Sequence, residues 1–139
     1  MDAEQGHIER ERAAAAGFWR DSYCQAFMDK DAGRYADQFA LPCMIKAEGL
    51  PRTAFSTRAA LLDYVSEMLR RAEESTWHRS SIDRCDVSLL DRDVARVSVD
   101  ATRFDAADRP ISRLYGEYTL NKVEGAWKMV AIFGGFYPD

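Results

Sequence analysis

The chain has 139 residues, a length suited to one domain around one core, with 47% hydrophobic and 30% charged side chains. A net charge of −4 leaves no basic footprint of the kind nucleic-acid binders carry, so no nucleic-acid partner is expected. No run reaches the ~18 consecutive apolar residues a membrane span needs, and the stretch AAAAGFW behind its Glu-Arg cluster is too short and poorly flanked for a secretory signal; a cytoplasmic protein with no membrane partner is the expectation. Cys24, Cys43 and Cys85 are odd in number and lack a Cys-x-x-Cys pair, which reads as three free thiols in a reducing compartment.

In chain order, residues 1–7 read as frayed, and a helix is expected from about Ile8. Its clearest stripe is Trp19, Tyr23 and Phe27, at i, i+4 and i+8, with Phe18 and Ala26 beside it. Asp31 can cap a short second helix that buries Tyr35 and Phe39 and is stopped by Pro42; an extended segment then runs to Glu48-Gly49. A third helix follows a Ser56 or Thr57 cap, with Leu61, Tyr64, Val65, Met68, Leu69 and Ala72 on one face. After Trp77 the apolar period drops to two, and strands are expected at 78–90, 94–104, 111–123 and 126–134. The short polar links between them imply antiparallel hairpins. Helices first and a long meander after them make an α+β layout with the helices packed on one sheet face.

This order, with DAGRYADQFA before the first strand, Phe55-Ser56-Thr57 leading into the third helix and EGAWKMV in the last hairpin, resembles the nuclear transport factor 2-like superfamily over residues 14–136. SnoaL-like cyclases, scytalone dehydratase and ketosteroid isomerase belong to it. The resemblance implies a single domain spanning 1–139, in which a strongly bent antiparallel sheet wraps three N-terminal helices as a cystatin-like cone (an α+β barrel) open at one end. It also implies a small, mostly apolar ligand, no cofactor, and a homodimer joined through the outer sheet face, where Tyr115, Glu117 and Thr119 alternate, while two histidines, His7 and His78, and no clustered cysteines leave no expected metal site. Buried rings are each worth ~2–3 kcal/mol by area alone, so Phe18, Phe39, Leu61 and Trp127 are read as core. Trp19, Phe27, Tyr35, Phe55, Tyr64, Met68, Met129 and Phe133 are read as pocket lining.

Set against the superfamily's isomerases, Tyr23 falls on the oxyanion-donor tyrosine. The general-base aspartate falls on Ala47, with Glu48 one residue away and so turned to the other face, and the second donor falls near Gly116. Ketosteroid isomerase chemistry is therefore not expected. In the dehydratases and many SnoaL-like members a histidine near the start of the first long strand faces the pocket, and His78 stands at about that place, with Asp83, Asp100 or Glu48 as its open choice of partner. Tyr23 and His78 are thus the candidate catalytic pair for a cofactor-independent isomerase, dehydratase or cyclase. The rival expectation is a non-catalytic binding or dimerisation module on the same fold.

Overall fold

A computed structural model describes residues 3–47 and 49–138. The N-terminal helix starts inside the segment expected to fray: α1 spans Ala3–Gly17, and the helix continues as a π-helical stretch, Phe18–Cys24, and as α2, Gln25–Met28. α3, Ala32–Ala36, is capped by Asp31, whose carboxylate accepts from the Arg34 N–H at 3.0 Å. It ends sooner than its sequence suggests. Phe39 already opens strand β1, Phe39–Lys46, and Pro42 lies inside that strand after a cis Leu41–Pro42 bond.

β2, Thr53–Phe55, pairs with β1, and α4, Arg58–Glu74, follows. Thr57 caps α4 by accepting from Ala60 N–H at 3.3 Å, while Leu61, Val65, Leu69 and Ala72 form its buried stripe. β3 (Arg79–Asp91), β4 (Val94–Phe104), β5 (Pro110–Val123) and β6 (Ala126–Phe136) form an antiparallel meander close to the expected bounds. The β5–β6 turn needs two left-handed residues; Glu124 at φ 51° and Gly125 at φ 82° supply them in a two-residue hairpin.

The sheet order is β2-β1-β6-β5-β4-β3. It is mixed rather than wholly antiparallel, because β1 lies parallel to β6. The fold is α+β as expected, and the curled sheet stays open. α1 packs on β3 and β4, α3 packs on α4, and α4 touches β2, so the helices fill the concave side. Ala15, Trp19, Tyr35, Ile45, Leu61, Val97, Leu120 and Met129 lie at the centre of the resulting core. The three cysteines are free. Among the described residues, no helix is long and apolar enough to cross a membrane.

Candidate functional site

Strand alternation sends every second side chain of the meander toward the helices. On β4 these are Val97, Val99, Ala101 and Arg103; on β5 they are Leu114, Gly116, Tyr118 and Leu120. Opposite them stand the rings of the N-terminal helix. Sheet and helix diverge toward one end and leave a cavity of about 130 Å³. Trp19, Tyr23, Phe27, Tyr35 and Met68 line it, as read from the sequence, together with Ile45, Val99, Ala101, Arg103 and Tyr118.

The other expected lining residues sit elsewhere. Phe55 is buried against Tyr64, ring centroids 5.0 Å apart, on the β2–α4 side of the core. The Tyr64 hydroxyl donates to Pro51 C=O at 3.1 Å. Met129 is fully buried in the packed core and does not reach the cavity. Phe133 is exposed on the outer sheet face, because Ile132 and Gly134 take the inward positions on β6. His78 is exposed, and does not line the cavity; the preceding Trp77 turns inward, and its indole N–H donates to Ser80 Oγ at 2.9 Å. His78 and Tyr23 therefore do not converge. The carboxylates weighed as partners for His78 do not gather there either. Asp83 accepts from Ser81 and Thr102, and Asp100 is bound to Arg84 on the outer face. Glu48 lies outside the described residues.

Tyr23 belongs to a group of buried phenols. Its hydroxyl lies 2.6 Å from that of Tyr35, contributed by α3, and its ring meets Tyr118 edge-on at 5.3 Å. Burial raises the pKa of Tyr23 well above the usual tyrosine value, and the neighbouring Tyr35 and Tyr118 phenols add to the effect. Tyr35 is also raised chiefly by burial. Tyr118 is raised by burial and by the Cys24 thiol, with the Tyr23 hydroxyl and the Arg103 charge working the other way. These phenols stay protonated at neutral pH; they can donate hydrogen bonds but cannot serve as bases. Burial pushes the Cys24 thiol up to about 11, so this lining residue is a neutral thiol and not a nucleophile. Among the described residues, no carboxylate and no histidine lines the cavity.

Of the lining residues that the sequence reading does not name, Tyr118 and Arg103 matter most for the chemistry. Tyr118 fills space left by Gly116: a Cβ built there would stand 2.5 Å from the Tyr118 hydroxyl. Hence the position where the isomerase likeness shows no second donor is covered by a phenol from two residues along the same strand. Arg103 continues the inward series Val97, Val99, Ala101 by one further step, a signal present in the sequence. Its guanidinium carbon lies 5.9 Å from the Phe27 ring centroid, 5.6 Å from Trp77 and 5.5 Å from Phe136. Burial lowers its pKa, with Tyr118 acting in the opposite direction.

A curled mixed sheet over N-terminal helices is the arrangement of a cystatin-like fold. The family model for NTF2-like protein (DUF6841) matches residues 11–135, and the chain belongs to this family. No curated protein matches it. Among solved structures, it is similar to a hexachlorocyclohexane dehydrochlorinase from Novosphingobium barchaimii (14% identity, TM-score 0.73, 96% of this chain and 91% of that one). It is also similar to a ketosteroid isomerase-like protein from Erwinia carotovora atroseptica (18% identity, TM-score 0.68, all of both chains). A third is an NTF2-like protein with a cystatin-like fold from Novosphingobium aromaticivorans (13% identity, TM-score 0.65, 91% of this chain and 80% of that one). At these identities the likeness is one of fold.

Proposed function

We propose that the protein binds a small, mostly apolar molecule in the cone between the sheet and the N-terminal helix. The observation that carries this reading is the cavity of about 130 Å³ with a lining dominated by aromatic and aliphatic side chains. That volume is close to the ~150 Å³ in which an engineered apolar cavity of another protein holds benzene, so one ring or a short branched chain fits. A protein of the same fold is named for acting on hexachlorocyclohexane, a single-ring substrate, which supports the size class.

Binding is favoured over proton transfer by the chemistry of the lining. Protonated phenols and a guanidinium supply donors, while a base to remove a proton has no residue among the described lining. His78 stands in solvent and is no partner for Tyr23 in the cone. The test is a titration with neutral single-ring compounds such as benzyl alcohol, followed by tryptophan emission, since Trp19 lines the cavity. A saturable change that disappears in Ala101→Phe, which fills the space, is the expected result. If neither neutral nor charged ring compounds give a saturable change, the reading fails.

The outer sheet face is the surface we assign to a two-fold dimer. Tyr115, Phe133 and Tyr137 are exposed on it, and the Tyr115 and Tyr137 rings lie 5.5 Å apart. Sedimentation at micromolar concentration should give twice the chain mass; a monomer would remove this assignment and leave the pocket untouched.

A further inference from the structure

Arg103 sits in the cavity wall in an arrangement that a packing role does not explain. An arginine held among rings can be a stem laid over apolar surface with its head in water. Here the head itself is packed among Phe27, Trp77 and Phe136, on the inner side of β4, a strand paired on both edges. No hydrogen bond or ion pair engages its guanidinium among the described residues. Ring faces attract a cation but occupy none of its N–H donors, so the planar fork remains available in a place where water is scarce. A partly desolvated cation with free donors is a costly arrangement until an anion meets it.

Two neighbouring features point the same way. Trp19, also in the lining, is buried, and its indole N–H has no acceptor among the described residues. Beyond Arg103 the cavity gives onto a wider outer recess shared by Phe27, Ala47, Met68, Arg103 and Phe136, and edged by Gly49, Arg71 and Glu74. Glu74 is occupied by Arg70 on the surface of α4. Lys46 also lines the cavity, its ammonium donating to the Ala47 carbonyl at 2.8 Å, so the lining offers two cations and an indole N–H without a described carboxylate to answer them.

We infer that the cone takes an organic anion: a small carboxylate whose charged group is held by the Arg103 fork and whose apolar body lies against Ile45, Met68, Val99 and Ala101. This rests on the reading of the cone as a binding pocket and narrows its ligand to one charge class. A guanidinium and a carboxylate make paired, charge-assisted hydrogen bonds with fixed geometry, and the low-dielectric wall strengthens them.

The experiment compares benzoate with benzyl alcohol, two probes of nearly equal size that differ in charge, by tryptophan emission or calorimetry on the full chain. Wild type should bind benzoate at least tenfold more tightly than benzyl alcohol. Arg103→Met should erase that preference, so that benzoate binds no more tightly than benzyl alcohol, and Arg103→Lys should restore part of it. Should Arg103→Met fail to fold, Arg103→Lys alone carries the contrast, since a lysine keeps the charge and loses the fork. Equal affinity of the two probes for wild type overturns the inference and leaves the pocket reading standing. A benzoate preference undiminished in Arg103→Met and Arg103→Lys also overturns it, by placing the carboxylate on another residue. Absence of binding by both probes removes the pocket reading and this inference together.

Discussion

Arg84 and Arg103 stand on neighbouring strands of one sheet, on opposite faces. On the outer face, Arg84 Nε donates to Asp100 at 2.7 Å, Nη1 to Asp86 at 2.7 Å and Nη2 to Ser98 at 3.1 Å. The network extends from Ser98 to Glu117 and from Asp100 to the Tyr137 hydroxyl. Arg103 has rings in place of carboxylates. The outer face thus answers its own charges within the sheet, where water would have served nearly as well. The inner face leaves one charge unanswered where water serves worst. Two arginines of the same sheet differ in consequence because burial decides what a missing partner costs.

The contrast can be broken first by stability. Leu120→Ala, at a fully buried inward position, should cost about 2–5 kcal/mol in chemical denaturation, whereas Thr119→Ala on the opposite side of the same strand should stay within about 0.5 kcal/mol. Comparable losses would show that the two faces are not energetically distinct. Gly116→Ala should cost about 1–3 kcal/mol, because the new methyl group meets the Tyr118 hydroxyl and ring, and it should shrink the cavity or change its shape. A crystal structure of that variant with Tyr118 unmoved would refute the account of the close approach.

The phenols sharpen the comparison further. Tyr35→Phe leaves the Tyr23 hydroxyl without its partner and should destabilise by about 1–3 kcal/mol. The double variant Tyr23→Phe, Tyr35→Phe should lose less than the sum of the two single variants, since no orphaned hydroxyl of that pair remains. Strict additivity would mean the pair is not a coupled unit.

The smallest effect lies on the outer face. Hydrogen bonds from Arg84 and Tyr137 hold Asp100 below its ordinary value of 3.8. A depressed carboxylate contributes stability that is present above 3.8 and lost as pH falls through the lower folded value. Arg84→Met should therefore lower stability slightly at neutral pH and flatten the acid limb below about pH 4, with the difference from wild type vanishing as pH falls through the lower folded value. An unchanged acid limb would remove Asp100 from the acid sensitivity.

Local periodicity made much of this fold legible. The apolar stripe from Leu61 to Ala72 and the Thr57 cap lie within one element, and the hairpins announce themselves by alternation and short polar links. The parallel pairing of Phe39 and Met44–Lys46 with β6 spans most of the chain, and no local signal separates it from an extension of α3. Sequence alone therefore places Phe39 in the short helix. At the site, the stripe Trp19, Tyr23, Phe27 is local to one helix, but the union of Tyr23 with Tyr35 and Tyr118 joins a helix, a second helix and a strand. Alternation carried far enough exposes two further facts. It puts Arg103 inside, after Ala101, and it puts His78 outside, next to inward Trp77. In both cases the residue stands at the end of its run, where a repeat is easiest to cut one step short.

The π-helical stretch Phe18–Cys24 has a consequence for how this helix can vary. Each residue of an α-helix advances its neighbours by about 100° around the axis. A π-turn holds one more residue than an α-turn, so winding Phe18–Cys24 as plain α-helix without losing a residue would rotate everything upstream relative to Phe27. Ala15 would leave its buried seat, and Glu11 would swing away from Lys122, which it now meets at 2.6 Å. The turn works as a phase coupling between two lengths of one shaft. The upstream length is keyed to the sheet, the downstream length carries Phe27 to the cone, and only the loss of the extra residue would let plain α-winding keep the two in gear.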